Sequence, residues 1–208
     1  TMKKTYLILF SFLLVIATSD AAYGADDDDK LARYGQYGGP FSLVDHTGRT
    51  VTDRDFLGKY LLLFFGYTYC PDVCPTTMQV IGDALDLLGE EGRSIQPVFI
   101  SVDPERDTVQ ELAGYVSNFH PRMVGLTGEK DKIISLADDY GATFFKVFLP
   151  PSIGNSDDQA EEPEKNQYLI NHSAATYLMG PDGRFISYFP FGVGSEDIAR
   201  KIHKILDK

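Results

Sequence analysis

The sequence predicts an α/β protein in which a central mixed sheet carries helices on both faces. Three observations predict it. A continuous apolar and aromatic run, YLLLFFGYTY at 60–69, has the composition of a strand buried on both faces. Directly after it, Met78, Ile81, Leu85 and Leu88 recur three or four apart, the spacing of one apolar helix face. A second buried run, IQPVFISVD at 95–103, then opens another strand–helix unit.

PFSLVDHTGRTVT at 40–52 predicts an N-terminal hairpin turning at Thr47-Gly48. The first long strand follows, and the helix after it starts at Pro75, whose missing N–H is not needed at the first helical position. Gly89 and Gly92 mark its end. After DPERDT, Val109, Leu112, Tyr115, Val116 and Phe119 share a second helical face. MVGLTG at 123–128 is a short strand, with a helix from there to about Tyr140 and a further strand in ATFFKVFL at 142–149. PPSIGNSDDQAEEPEKNQ at 150–167 is a long polar loop insertion before the last hairpin. That hairpin turns at Pro181-Asp182-Gly183, and a terminal helix, SEDIARKIHKIL, is capped by Ser195.

Residues 1–25 open with two lysines, continue in an apolar run of about a dozen residues and leave through small residues, the layout of a secretory signal or short membrane anchor. Lysine rather than repeated arginine points to bacterial export, hence to the periplasm or the outer face of the cytoplasmic membrane. Asp26–Lys30 matches the enteropeptidase cleavage sequence, a scar of recombinant expression or an acidic linker. Residues 31–208 remain as one domain, long enough for a well-buried core. The chain carries −11; three lysines and five aspartates in residues 1–30 account for −2, leaving −9 on the rest. Such a surface is a poor match to phosphate backbones and disfavours nucleic acid.

Cys70 and Cys74 are the only cysteines, and each precedes a proline. The helix prediction puts Cys74 near an N-cap, where the dipole and free N–H groups favour a thiolate. Three readings stand: a structural disulfide, a redox dithiol, and two donors of a thiophilic metal site. A disulfide closing so small a loop removes little chain entropy, so the structural reading is the weakest. A metal needs a further donor. His46 sits in a hairpin turn, His120 before a proline at a helix end where it can cap carbonyls, and His203 on a charged helix face. His172, in NHSAATYLM, directly precedes an apolar strand. Met78 and Met179 fall in apolar patterns and read as core. Tyr67 and Tyr69 read either as walls of the site or as strand packing. Asp103 reads either as orienting a ligand or facing a partner or, with Asp107 or Thr108, as a cap of the next helix.

A dithiol between the first long strand and its helix, with an antiparallel hairpin late in the chain, resembles the thioredoxin fold. There the segment entering the hairpin carries a cis-proline against the dithiol; here Asn171-His172-Ser173 stands in its place. FFGYTYCPDVCPTTM, FISVDPERDT and NHSAATYLMGPDGRF, in that order, resemble the Sco (SenC) family of copper-delivery proteins across most of residues 38–207. The resemblance implies copper bound by Cys70, Cys74 and His172. Two thiolates and an imidazole suit Cu(I), and accept Cu(II) where the site adds a ligand or water; zinc takes the same donors. It further implies delivery to the CuA site in subunit II of cytochrome c oxidase, with another copper chaperone or a thiol reductant as further partners. The alternative is an enzyme, a thiol–disulfide oxidoreductase acting on the CuA cysteines or other exported proteins through Cys70 and Cys74.

Overall fold

A computed structural model describes residues 37–148 and 168–207. The predicted leader at 1–25, the acidic run at 26–30 and the polar stretch at 150–167 lie outside the described residues. The strands are β1 (Ser42–Asp45), β2 (Thr50–Thr52), β3 (Tyr60–Gly66), β4 (Ile95–Ser101), β5 (Val124–Thr127), β6 (Phe144–Phe148), β7 (Tyr168–His172), β8 (Thr176–Met179) and β9 (Phe185–Phe189). The helices are α1 (Val73–Leu88), α2 (Val109–Val116), α3 (Lys130–Asp139) and α4 (Ser195–Leu206).

Seven strands form one mixed sheet in the order β2-β1-β5-β4-β3-β8-β9. Its centre is parallel, β3 with β4 and β4 with β5, and β8 runs antiparallel to β3. Residues 61–66 of β3 are all buried, as a central strand covered on both sides requires. Successive side chains then serve opposite layers. Phe64 packs against Phe99 on the α1 side, whereas Phe65 meets Tyr140 at the end of α3 and Tyr177 of β8. Leu62, Leu63 and Phe64 have no exposed surface, and burial of each contributes about 1.5–3 kcal/mol. Helices α1 and α4 pack together, and Leu112 and Val116 of α2 close over Gly125 of β5. This is the predicted thioredoxin-like class.

Several boundaries differ from expectation for identifiable reasons. Strand β3 ends at Gly66, so Tyr67–Tyr69 belong to the loop that leads to the cysteines. Helix α1 begins at Val73 after N-cap Asp72, which moves Cys74 inside the first turn instead of at the cap. Gly194, not Ser195, is the N-cap of α4. Helix α2 stops at Val116, so Phe119 follows the helix rather than lying on its face. Strand β6 joins no ladder of the main sheet; it pairs with β7, which directly follows the predicted 150–167 loop, in a separate two-stranded ribbon.

Candidate metal centre

The centre is assembled from three chain segments. The first is the loop leaving β3. The Gly66 carbonyl still accepts from Val102 N at 2.8 Å, and the chain then turns with Cys70 N donating to the Tyr67 carbonyl at 3.2 Å. Thr68 is gripped from below by Asp107, whose carboxylate accepts from Thr68 N at 3.0 Å and Thr68 Oγ1 at 2.6 Å. Ser101 Oγ donates to the same carboxylate at 2.6 Å. Asp107 is fully buried, and burial pushes its carboxyl above the usual range against the pull of these hydrogen bonds.

The second segment is the first turn of α1. Cys74 has no exposed surface, while Cys70 is half-buried at the loop edge. The Cys74 backbone N–H, one of the orphan donors of a helix start, points at Cys70 Sγ, 3.4 Å from nitrogen to sulfur. The two thiols are unequal. A hydrogen bond from Cys74, opposed by partial burial and helped by the Asp72 and Cys74 backbone, lowers the Cys70 pKa. Burial, with the adjacent Cys70 charge, raises that of Cys74. Half-exposed Cys70 therefore loses its proton before buried Cys74.

The third segment is the end of β7. His172 Nε2 lies 3.2 Å from Cys74 Sγ. Its Nδ1 lies 3.1 Å from the Ser173 carbonyl, which can only accept, so Nδ1 carries the proton and Nε2 presents its lone pair to the sulfurs. That arrangement is the usual one for a metal-binding histidine. The ring edges of Phe64 and Tyr67 stand against the imidazole, each 5.9 Å between centroids. The donor atoms of Cys70, Cys74 and His172 all lie within 4.8 Å of one another. Two soft sulfurs and an imidazole at that separation fit a thiophilic metal of the Cu(I) or zinc type.

Gly66 is part of this construction. A Cβ there would lie 2.7 Å from Phe99 Cε2 and 2.8 Å from Cys74 Sγ, so only glycine lets β3 pass this close to the sulfur. Gly66→Ala is expected to destabilise the reduced protein by about 1–3 kcal/mol through overpacking. Denaturant unfolding measures this, and an unchanged midpoint would contradict the close approach.

The other histidines sit elsewhere. His46 Nδ1 accepts from Gly125 N at 3.2 Å, so this turn residue is tied to β5. His120 is buried and accepts from Arg122 N at 3.1 Å; it caps no carbonyl among its described bonds. His203 is exposed between Glu91 and Asp207, one carboxylate at each ring nitrogen, as on a charged helix face. Met78 and Met179 are core residues. Tyr67 is a buried wall of the site, whereas Tyr69 is largely exposed. The cap of α2 is Thr108, accepting from Glu111 N at 3.2 Å, which leaves Asp103 and Asp107 for other work. Sequence reasoning missed Arg106 and Tyr168, which bind Asp103. The available signal was period-two spacing, since Tyr168, Ile170 and His172 fall on one face of a strand.

A thioredoxin-like sheet with a dithiol at one helix start and an imidazole facing it defines a dithiol protein with a three-donor centre. A family model described as SCO1/SenC matches residues 29–207. Protein sco1 of Schizosaccharomyces pombe is 39% identical, covering 92% of this chain and 74% of that protein. The human protein named SCO1 homolog, mitochondrial, is also 39% identical over 79% of this chain, which spans only 51% of that relative's length. The structure of Bradyrhizobium japonicum ScoI with copper bound superimposes with a TM-score of 0.68 at 39% identity, covering 81% of this chain and 98% of that one. The chain belongs to the SCO1/SenC family.

Proposed function

We propose that the protein is a copper metallochaperone that holds one copper through Cys70, Cys74 and His172 and passes it to the CuA site in subunit II of cytochrome c oxidase. The observation that carries this reading is the convergence of two sulfurs and one imidazole nitrogen within 4.8 Å, from residues far apart in the chain. Similarity to the copper-bound bacterial ScoI supports the choice of metal. Half-exposed Cys70 is the entry point, its thiolate already formed; Cys74 gives up its proton as the metal arrives, and His172 Nε2 closes the set. Three protein donors leave one side open for an incoming ligand of the acceptor. Another copper chaperone or a thiol reductant serves the loading step, because a closed disulfide cannot bind metal.

The second reading is a thiol–disulfide oxidoreductase acting on the CuA cysteines or on other exported proteins. The inequality of the thiols favours it. An accessible thiolate beside a buried thiol is the layout of an attacking and a resolving cysteine. The compartment we assign is the bacterial periplasm or the outer face of the cytoplasmic membrane, with residues 1–25 as signal or anchor, 26–30 as scar or linker and 31–208 as the copper-binding domain. This placement rests on the leader composition, since the human relative is named as mitochondrial.

Titrating the reduced protein with Cu(I) and with Cu(II) tests the first reading. The expected result is one copper per chain, lost when either cysteine is replaced by serine, and a strong sulfur-to-copper charge-transfer band in the Cu(II) form. Uptake of copper without dependence on the cysteines would overturn it.

A further inference from the structure

We infer that Tyr168, Asp103 and Arg106 are positioning residues for His172: they latch the β6–β7 ribbon to the loop after β4, and that loop thereby aligns both halves of the centre. The inference rests on the three-donor reading above.

The ribbon shares no ladder with the seven-stranded sheet, so its seat on the domain depends on side chains. The described ties are concentrated on Tyr168 at the start of β7. Its buried hydroxyl donates to Asp103 Oδ1 at 2.6 Å. Arg106 Nη1 donates to the Tyr168 carbonyl at 2.9 Å, and its guanidinium carbon stands 3.7 Å from the centre of the Tyr168 ring. The Lys146 ammonium from β6 stands 4.0 Å from that ring centre. Arg106 also forms a salt bridge with Asp103.

These groups act at a distance through a stiff element. Five consecutive pairs join β6 and β7, from Phe148 opposite Tyr168 to Phe144 opposite His172. Anchoring Tyr168 therefore fixes the height and tilt of the imidazole four residues on. The same loop carries Asp107, which holds Thr68 and with it the approach to Cys70. One loop, residues 102–108, thus references the thiol arm through Asp107 and the imidazole arm through Asp103. Neither acid touches a donor sulfur or the His172 ring in the described bonds.

Tyr168→Phe removes one charge-assisted hydrogen bond and keeps the ring. In reduced, metal-free protein, amide exchange at 169–172 is expected to speed up about tenfold, with Leu62–Phe64 of β3 unchanged. In copper-loaded protein, transfer to bicinchoninate is expected to accelerate by a similar factor. Adding Tyr168→Phe to His172→Ala is expected to produce no further acceleration, because the latch acts through the imidazole. Asp103→Asn serves as the second variant if Tyr168→Phe fails to fold. Exchange that stays at the wild-type rate, or rises equally in β3, overturns the latch. So does a release effect that persists without His172. Wild-type protein that takes up no copper sinks the three-donor reading instead, and the metal-free exchange still judges the latch.

Discussion

With His172 replaced by alanine, the reduced protein is expected to bind Cu(I) at least about 100-fold more weakly, since even outer partners of metal ligands are worth about 10–100-fold. Dithiol exchange with a small disulfide is expected to persist, because Cys70 keeps its hydrogen bonds from Cys74 and from the α1 backbone. Copper affinity by chelator competition and exchange by a chromogenic disulfide, measured on the same preparation, separate the two functional readings. Loss of both activities together would mean that the imidazole supports the fold around the thiols rather than the metal. Unchanged affinity would remove His172 from the donor set and leave a plain dithiol protein.

Asp107→Ala is expected to lower stability by about 3 kcal/mol, because Ser101 Oγ and both donors of Thr68 lose their acceptor in a buried place. For a domain of this size that corresponds to a fall in Tm of roughly 6–12 °C. Asp107→Asn is expected to be far milder. One amide oxygen can accept from Ser101 and from Thr68 N, while the amide nitrogen donates to Thr68 Oγ1. The wild-type carboxyl also imposes a pH dependence. Its folded pKa lies above that of an ordinary aspartate, so its favourable contribution is complete below the ordinary value and is lost as pH rises through the folded pKa. The Asn variant should lack that slope. Thermal melts of the three proteins between pH 4 and 7 measure both effects, and an Ala variant as stable as wild type would show that the loop to Cys70 needs no such anchor.

The strongest elements were legible because their signal is local. The apolar run of β3 and the three-and-four spacing of α1 need no partner to be recognised, and they place the thiols at the end of a central strand. Boundaries were less legible. The chain leaves β3 at Gly66, although apolar composition continues to Tyr69, because Thr68 is drawn to Asp107, 39 residues later. The ribbon was half hidden, since β6 shows a strand pattern whereas β7 sits at the edge of a polar stretch and gains its ladder only from β6.

The order of elements, the dithiol at a helix start and, through three motifs, the candidacy of His172 can all be read along the chain. Those features are written in residue type and spacing along the chain. The folded chain settles which sulfur is buried, which ring nitrogen faces it at 3.2 Å, and that Tyr168 and Thr68 find their acceptors in Asp103 and Asp107. The physical reason is that burial, tautomer and hydrogen-bond partnership are properties of surroundings, and these surroundings come from segments that meet only once the sheet has formed.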